Sequence, residues 1–127
     1  MSFSSILADE QDQLYNNGEV YYSSHVQDVG WQDSVTSGQI SGTVGQAKQI
    51  EALCMRLSGE ISDKYDIYYR VHVEDFGWLD WAKNGTNAGT EGLFKQIEAY
   101  EVRLVKKNSP APGNTQRPFI KKVFKPN

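Results

Sequence analysis

Two stretches gather the residue types that can do chemistry. "HVQDVGWQD" begins at His25, and "HVEDFGWLD" begins at His72 and runs into Trp81. A histidine close to a carboxylate suggests a general base or a metal ligand, with Asp28 and Asp75 as partners. Each stretch holds a single His, however, and an active site needs several groups converging within a few ångströms. His25 and His72 are therefore read as hydrogen-bonding residues of a polar face, and no catalytic or metal site is expected. The tryptophans offer other chemistry. A sugar ring presents an apolar face of C–H groups that packs on an indole, while carboxylates and amides beside it take the hydroxyls. Trp31 and Trp78 fit that role, and they equally fit the role of a plug in the core of each copy. Asp33 and Asp80, two residues further on, are placed to take hydroxyls. Trp81 has no counterpart, since Ser34 stands at the matching position. A core residue should recur in both copies, so Trp81 is expected to be the exposed platform.

These phrases belong to a longer repeat. Shifted by 47 residues, the chain lies on itself: residues 20–57 align with 67–104 without a gap, and 19 of the 38 pairs are identical. Chance does not give half identity over such a span. The stretch "EVYYSSHV" alternates, and its second copy sharpens the pattern. Tyr69, Val71 and Val73 make an apolar face, and Tyr68, Arg70 and His72 a polar, aromatic one, with Tyr21 and His25 as counterparts. Each copy is thus expected to open on a strand with one face in the core. Three glycines recur in the middle of each copy, as turn positions with positive φ. Their G-T-x-G spacing lacks the lysine-serine ending and following helix of a phosphate-binding loop. The end of each copy, "KQIEALCMRL" and "KQIEAYEVRL", fits a helix or a strand, and the turns around it favour the strand. Glu51 and Glu98 in the repeated I-E-A are expected to bond a neighbouring turn. A catalytic carboxylate pair needs a fixed separation that spacing does not reveal. Short strands with glycine turns predict an all-β fold.

Composition narrows the rest. At 127 residues and net charge −3 the chain reads as one domain without the basic stripe that nucleic acid needs. Lys106, Lys107, Arg117, Lys121, Lys122 and Lys125 gather late and read as a solvated tail. Cys54 is the single cysteine, so no internal disulfide forms, and it reads as a small filler. No apolar run is long enough for a membrane span. The start, "MSFSSILADEQ", lacks the character of a signal peptide. It carries a weak helical pattern in Ile6, Leu7 and Leu14. Residues 105–127 read as a Pro- and Gly-rich loop from Asn108 followed by a closing strand over "FIKKVF".

The pattern Tyr-x-x-His-Val-x-Asp-x-Gly-Trp, then Gly-Thr-x-Gly, then Ile-Glu-Ala, resembles the clostridial hydrophobic repeat, a family named for its tryptophan. The match spans both copies, roughly 60% of the chain. Trp81 also matches a second tryptophan frequent in that family, which gives the second copy the better candidate site. The family occurs in surface and secreted proteins of Gram-positive bacteria and in phage lysins. The resemblance implies a non-catalytic module that attaches to peptidoglycan or another wall glycan, without a cofactor, and that acts outside the cell or at its wall after release. Two weak sites in one body suit a repetitive polymer. The alternative is a protein-interaction module that assembles surface complexes. The fold expected for such repeats is trefoil- or prism-like. Only two of its three sectors are present, the third being left to the termini or to a partner chain, most simply in a dimer.

Overall fold

The computed structural model describes residues 18–123. The pattern in Ile6, Leu7 and Leu14, and the end of the closing strand at Phe124 with Lys125 beyond it, lie outside the described residues. Among the described residues the fold is all-β apart from one short helix. Its strands are β1 (Val20–Val26), β2 (Gly30–Trp31), β3 (Val35–Thr36), β4 (Ile50–Leu57), β5 (Tyr65–Val73), β6 (Gly77–Trp78), β7 (Ala82–Lys83), β8 (Asn87–Glu91), β9 (Ile97–Lys106) and β10 (Phe119–Lys121); helix α1 (Glu60–Lys64) joins the copies.

The sequence repeat is a structural repeat, register by register. In the first copy β1 pairs antiparallel with β4 on one side and with β2 and β3 on the other; in the second copy β5 does the same with β9, β6 and β7. His25 faces Trp31 and Val26 faces Gly30, as His72 faces Trp78 and Val73 faces Gly77. The ambiguous "KQIEA" segments resolve as strands, β4 and β9.

The copies do not stay separate. β8, from the second copy, pairs antiparallel with β4 of the first, matching Ala52 to Gly89, Leu53 to Ala88 and Cys54 to Asn87. β10 then adds in parallel to β8. One sheet therefore runs β10-β8-β4-β1-β2, with β3 also on β1, and the other is β6-β5-β7 with β9 on β5. The expected trefoil or prism symmetry is not confirmed: the strands make two sheets.

The core lies where the inner face of the first sheet meets that of β5. Leu53, Leu57 and Ala88 pack with Ile67, Tyr69, Val71, Val73, Leu79 and Ala82. Tyr69 is fully buried, and its hydroxyl donates to carbonyl oxygens of Thr86 and Met55. Burial pushes the phenol pKa up, and it does the same to the half-buried Cys54 thiol, in keeping with a filler role. The apolar face read from Tyr69, Val71 and Val73 is therefore correct.

Candidate functional site

The repeated letters Asp-x-Gly make a turn. Asp28 and Gly30 take φ 64° and 90°, Asp75 and Gly77 take 66° and 76°, and the chain reverses between β1 and β2 and between β5 and β6. Aspartate tolerates the left-handed region better than most residues. Asp28 and Asp75 are thus hairpin residues, paired to Lys48 and Lys95. Each hairpin brings the tryptophan back beside the histidine across the ladder. The rings meet edge to face, His25 with Trp31 at 5.5 Å and His72 with Trp78 at 5.3 Å.

A second repeated device brings in the glutamates. The ladder slips between His25 and Val26 against β4, and between His72 and Val73 against β9. The slip is a bulge that leaves Glu51 and Glu98 as the extra residues. A bulge re-aims a side chain, and here it turns each carboxylate onto the histidine. Nδ1 of His72 lies 3.0 Å from Glu98 Oε1 in hydrogen-bond geometry. Nδ1 of His25 lies 3.2 Å from Glu51 Oε1, an ion-pair distance without the angle of a hydrogen bond. Both glutamates thus face a histidine where a neighbouring turn was expected: Glu98 hydrogen-bonds His72, while Glu51 lies against His25 and accepts from the Gln49 side-chain amide. Each copy holds one Glu–His–Trp row.

The two rows differ in what covers them. In the first, His25 Nε2 lies 3.3 Å from Glu91 Oε1, and Glu91 Oε2 lies 2.9 Å from Lys121 Nζ. Lys121 above all holds the Glu91 carboxyl below its usual range, with His25 and the Trp31 indole adding to it. Strands β8 and β10 thus close the first row. The two carboxylates stand at opposite nitrogens of one imidazole, so they do not converge on a metal, and among the described residues no group of three His, Cys, Asp or Glu is arranged to hold one. In the second row nothing among the described residues takes the place of Glu91. His72 and Glu98 remain partly open, and Trp78 is 44% exposed.

Trp81 is buried, which corrects the expectation of an exposed platform. It is 5% exposed, because the segment after β9 folds over it. The Trp81 main-chain N–H donates to the Asn114 carbonyl, and Gly113 lies so close that a Cβ there would stand 3.0 Å from the indole nitrogen. Asp80 is committed to the same segment: its carboxylate accepts from the Arg117 N–H, and its own N–H donates to the Arg117 carbonyl. Trp81 recurs in no other copy because the element it supports also occurs once. Trp31 and Trp78 do not plug the core either. Trp31 is half-buried, and the core positions go to the alternating residues of β4 and β5. Asp33 is exposed, whereas Tyr68 is buried beneath Lys83 and Tyr21 lies under Arg56.

The solvated tail is likewise corrected in part. Lys107 reaches the buried carboxylate of Asp66 at 3.0 Å, and Lys121 serves Glu91 as above.

Arg70 is the site residue that the sequence pattern missed. Its guanidinium lies 4.4 Å from the Trp78 ring centre and 4.9 Å from that of Trp81, and Arg103 takes Trp81 at 5.4 Å. Glu101 binds both arginines, and they hold its carboxyl below the usual range, Arg103 more than Arg70. The order is therefore Trp78, Arg70, Trp81, Arg103 along one face. Cation–π contacts of this kind fix ring planes. The signal was present in the sequence: Arg70 and Trp81 both replace serines of the first copy, Ser23 and Ser34.

Comparison with known proteins agrees with the repeat. No curated protein and no solved structure matches the chain significantly. The model of one family, clostridial hydrophobic W, matches twice, over residues 25–59 and 72–106. Those two matches together cover more than half of the chain and contain both Glu–His–Trp rows, and the chain belongs to the clostridial hydrophobic W family.

Proposed function

We propose that the chain is a non-catalytic binding module for Gram-positive wall glycan, with its open site at Trp78. The observation that carries this reading is the half-exposed indole of Trp78, braced by His72 on an edge and Arg70 on a face. An indole fixed in place loses little freedom when a sugar packs on it, which favours binding. Glu98 and the Nε2 of His72 stand beside it as groups for hydroxyls. The first row, closed by Glu91, is the weaker site. Placement in a phage endolysin or in a bacterial surface protein, and action outside the cell, go with this reading.

The test is pelleting of the purified chain with protein-stripped Gram-positive walls, beside an assay for released reducing sugar and free amines. Retention without release is the expected result, and Trp78→Ala should reduce retention at least tenfold. Release of products, or equal retention of Trp78→Ala, would reject it.

A further inference from the structure

β8 fills the edge of β4, and the next such edge has no strand on it among the described residues. The matching edge of the second copy is the outer side of β9, and no strand among the described residues pairs with it. The counterpart of β8 is the segment 40–44, which pairs with no strand among the described residues; the Gln32 side-chain amide holds the Gly42 N–H and carbonyl, and Ile40 and Val44 are left 74% and 76% exposed. The chain thus carries both halves of a contact that it makes once internally, and the described residues do not join the second pair of halves. They border one apolar cleft of about 640 Å³, with Ser41 on one wall and Ile97, Ala99 and Tyr100 on another.

Gly42 carries an independent sign. Its counterpart Gly89 takes φ 123° and lies so close to β4 that an added Cβ would come within 2.4 Å of the Glu51 carbonyl oxygen. There the glycine is required by the neighbouring strand. Gly42 takes φ 115°, nearly the same backbone shape, yet its Cβ would meet only the side chain of Ile50. The φ that the neighbouring strand demands at Gly89 is thus kept at Gly42, where no strand among the described residues lies alongside.

We propose that a second copy of this chain docks here head to tail, its segment 40–44 pairing antiparallel with the edge of β9. The internal contact fixes the register. Moving β4 and β8 by one repeat sets Ala99 opposite Gly42 of the second copy, Tyr100 opposite Ser41, and Glu101 opposite Ile40. Main-chain bonds along an open edge supply affinity. The contact joins two different surfaces, so it makes a ring or a filament according to the rotation it imposes. It stands independently of the glycan reading.

Disulfide trapping tests it, on full-length chains carrying Cys54→Ser. One preparation bears Ser41→Cys and the other Tyr100→Cys; a third bears both. Directly opposed residues in a ladder lie within disulfide reach. Mixing the first two under mild oxidation should give a two-chain product well above that of either alone. Replacing Tyr100→Cys by Val102→Cys should lose it, since the register is two residues off. An internal disulfide within single chains of the third preparation would overturn the proposal in favour of closure within one chain. Absence of a mixed product would overturn it too, as when the chain's own first residues hold the edge of β9. In light scattering the unmodified chain should gain mass on concentration, and a constant single-chain mass would count against it.

Discussion

Single residues show how environment decides role. Trp78 and Trp81 lie three positions apart and touch the same guanidinium, yet one is half open and the other covered. Trp81→Ala should therefore lower stability by roughly 3–5 kcal/mol, the range for a large buried aromatic. Trp78→Ala should cost about 1 kcal/mol or less. Urea melts of the two variants check this, and a reversed order would contradict the burial pattern. Asp66 gives a prediction in pH. Burial alone would push its carboxyl up, but bonds from Asn84, Lys107 and the Asn108 N–H, with the charge of Lys83, bring it down to about 2. A carboxyl with a lowered folded pKa stabilises the fold above its unfolded pKa, and that stability is lost as pH falls through the folded one. The interval runs from near 4 down to about 2, and the contribution at neutral pH is about 2 kcal/mol. Asp66→Asn should lower the neutral-pH stability by at least that much, with the gap to the parent chain closing near the acid end of the interval. A gap that persisted there would assign the loss to packing.

At the level of elements, the repeated positions were the legible ones. Alternation in Tyr69, Val71 and Val73 marked the buried face of β5, and paired glycines marked turns, because period and turn chemistry are local properties. The bulges at Glu51 and Glu98 were not legible, since a ladder slip depends on the partner strand. Nor was the burial of Trp81, which depends on a segment some thirty residues onward. The unmatched pairs held that information: Ser23 with Arg70, Ser34 with Trp81 and Val44 with Glu91 each differ where one copy is covered and the other is open. The β4–β8 junction can be probed directly. Gly89→Ala places a methyl group against the Glu51 carbonyl and Ala52, so the junction must part or shift. Gly38, at φ 88°, has open space around its Cβ position. Gly38→Ala should cost about 1 kcal/mol of backbone strain, and Gly89→Ala more than 3 kcal/mol, with hydrogen exchange rising along β4. Equal losses would mean that the junction is loose.

For the whole molecule, the segment from Ser109 to β10 decides coherence. It covers Trp81, bonds Asp80 and adds a strand to the sheet founded by the first copy. A chain ending at Asn108 should melt lower and show red-shifted tryptophan emission as Trp81 meets water. Unchanged emission would leave the segment without a structural role. The crossing of β8 into the other sheet has a genetic consequence. The stretch that duplicated in the sequence and the stretch that closes a sheet are out of phase. A recombination event that exchanged residues 67–104 for a foreign repeat would cut through the β4–β8 seam, and the incoming strand would face an edge it had not evolved beside. An exchange with breakpoints near Gly45 and in the counterpart loop near Gly92 would carry β4 and β8 together, with the seam between them intact. Shuffling among tandem relatives should therefore leave its joints in the glycine loops, out of step with the conspicuous tryptophan motif.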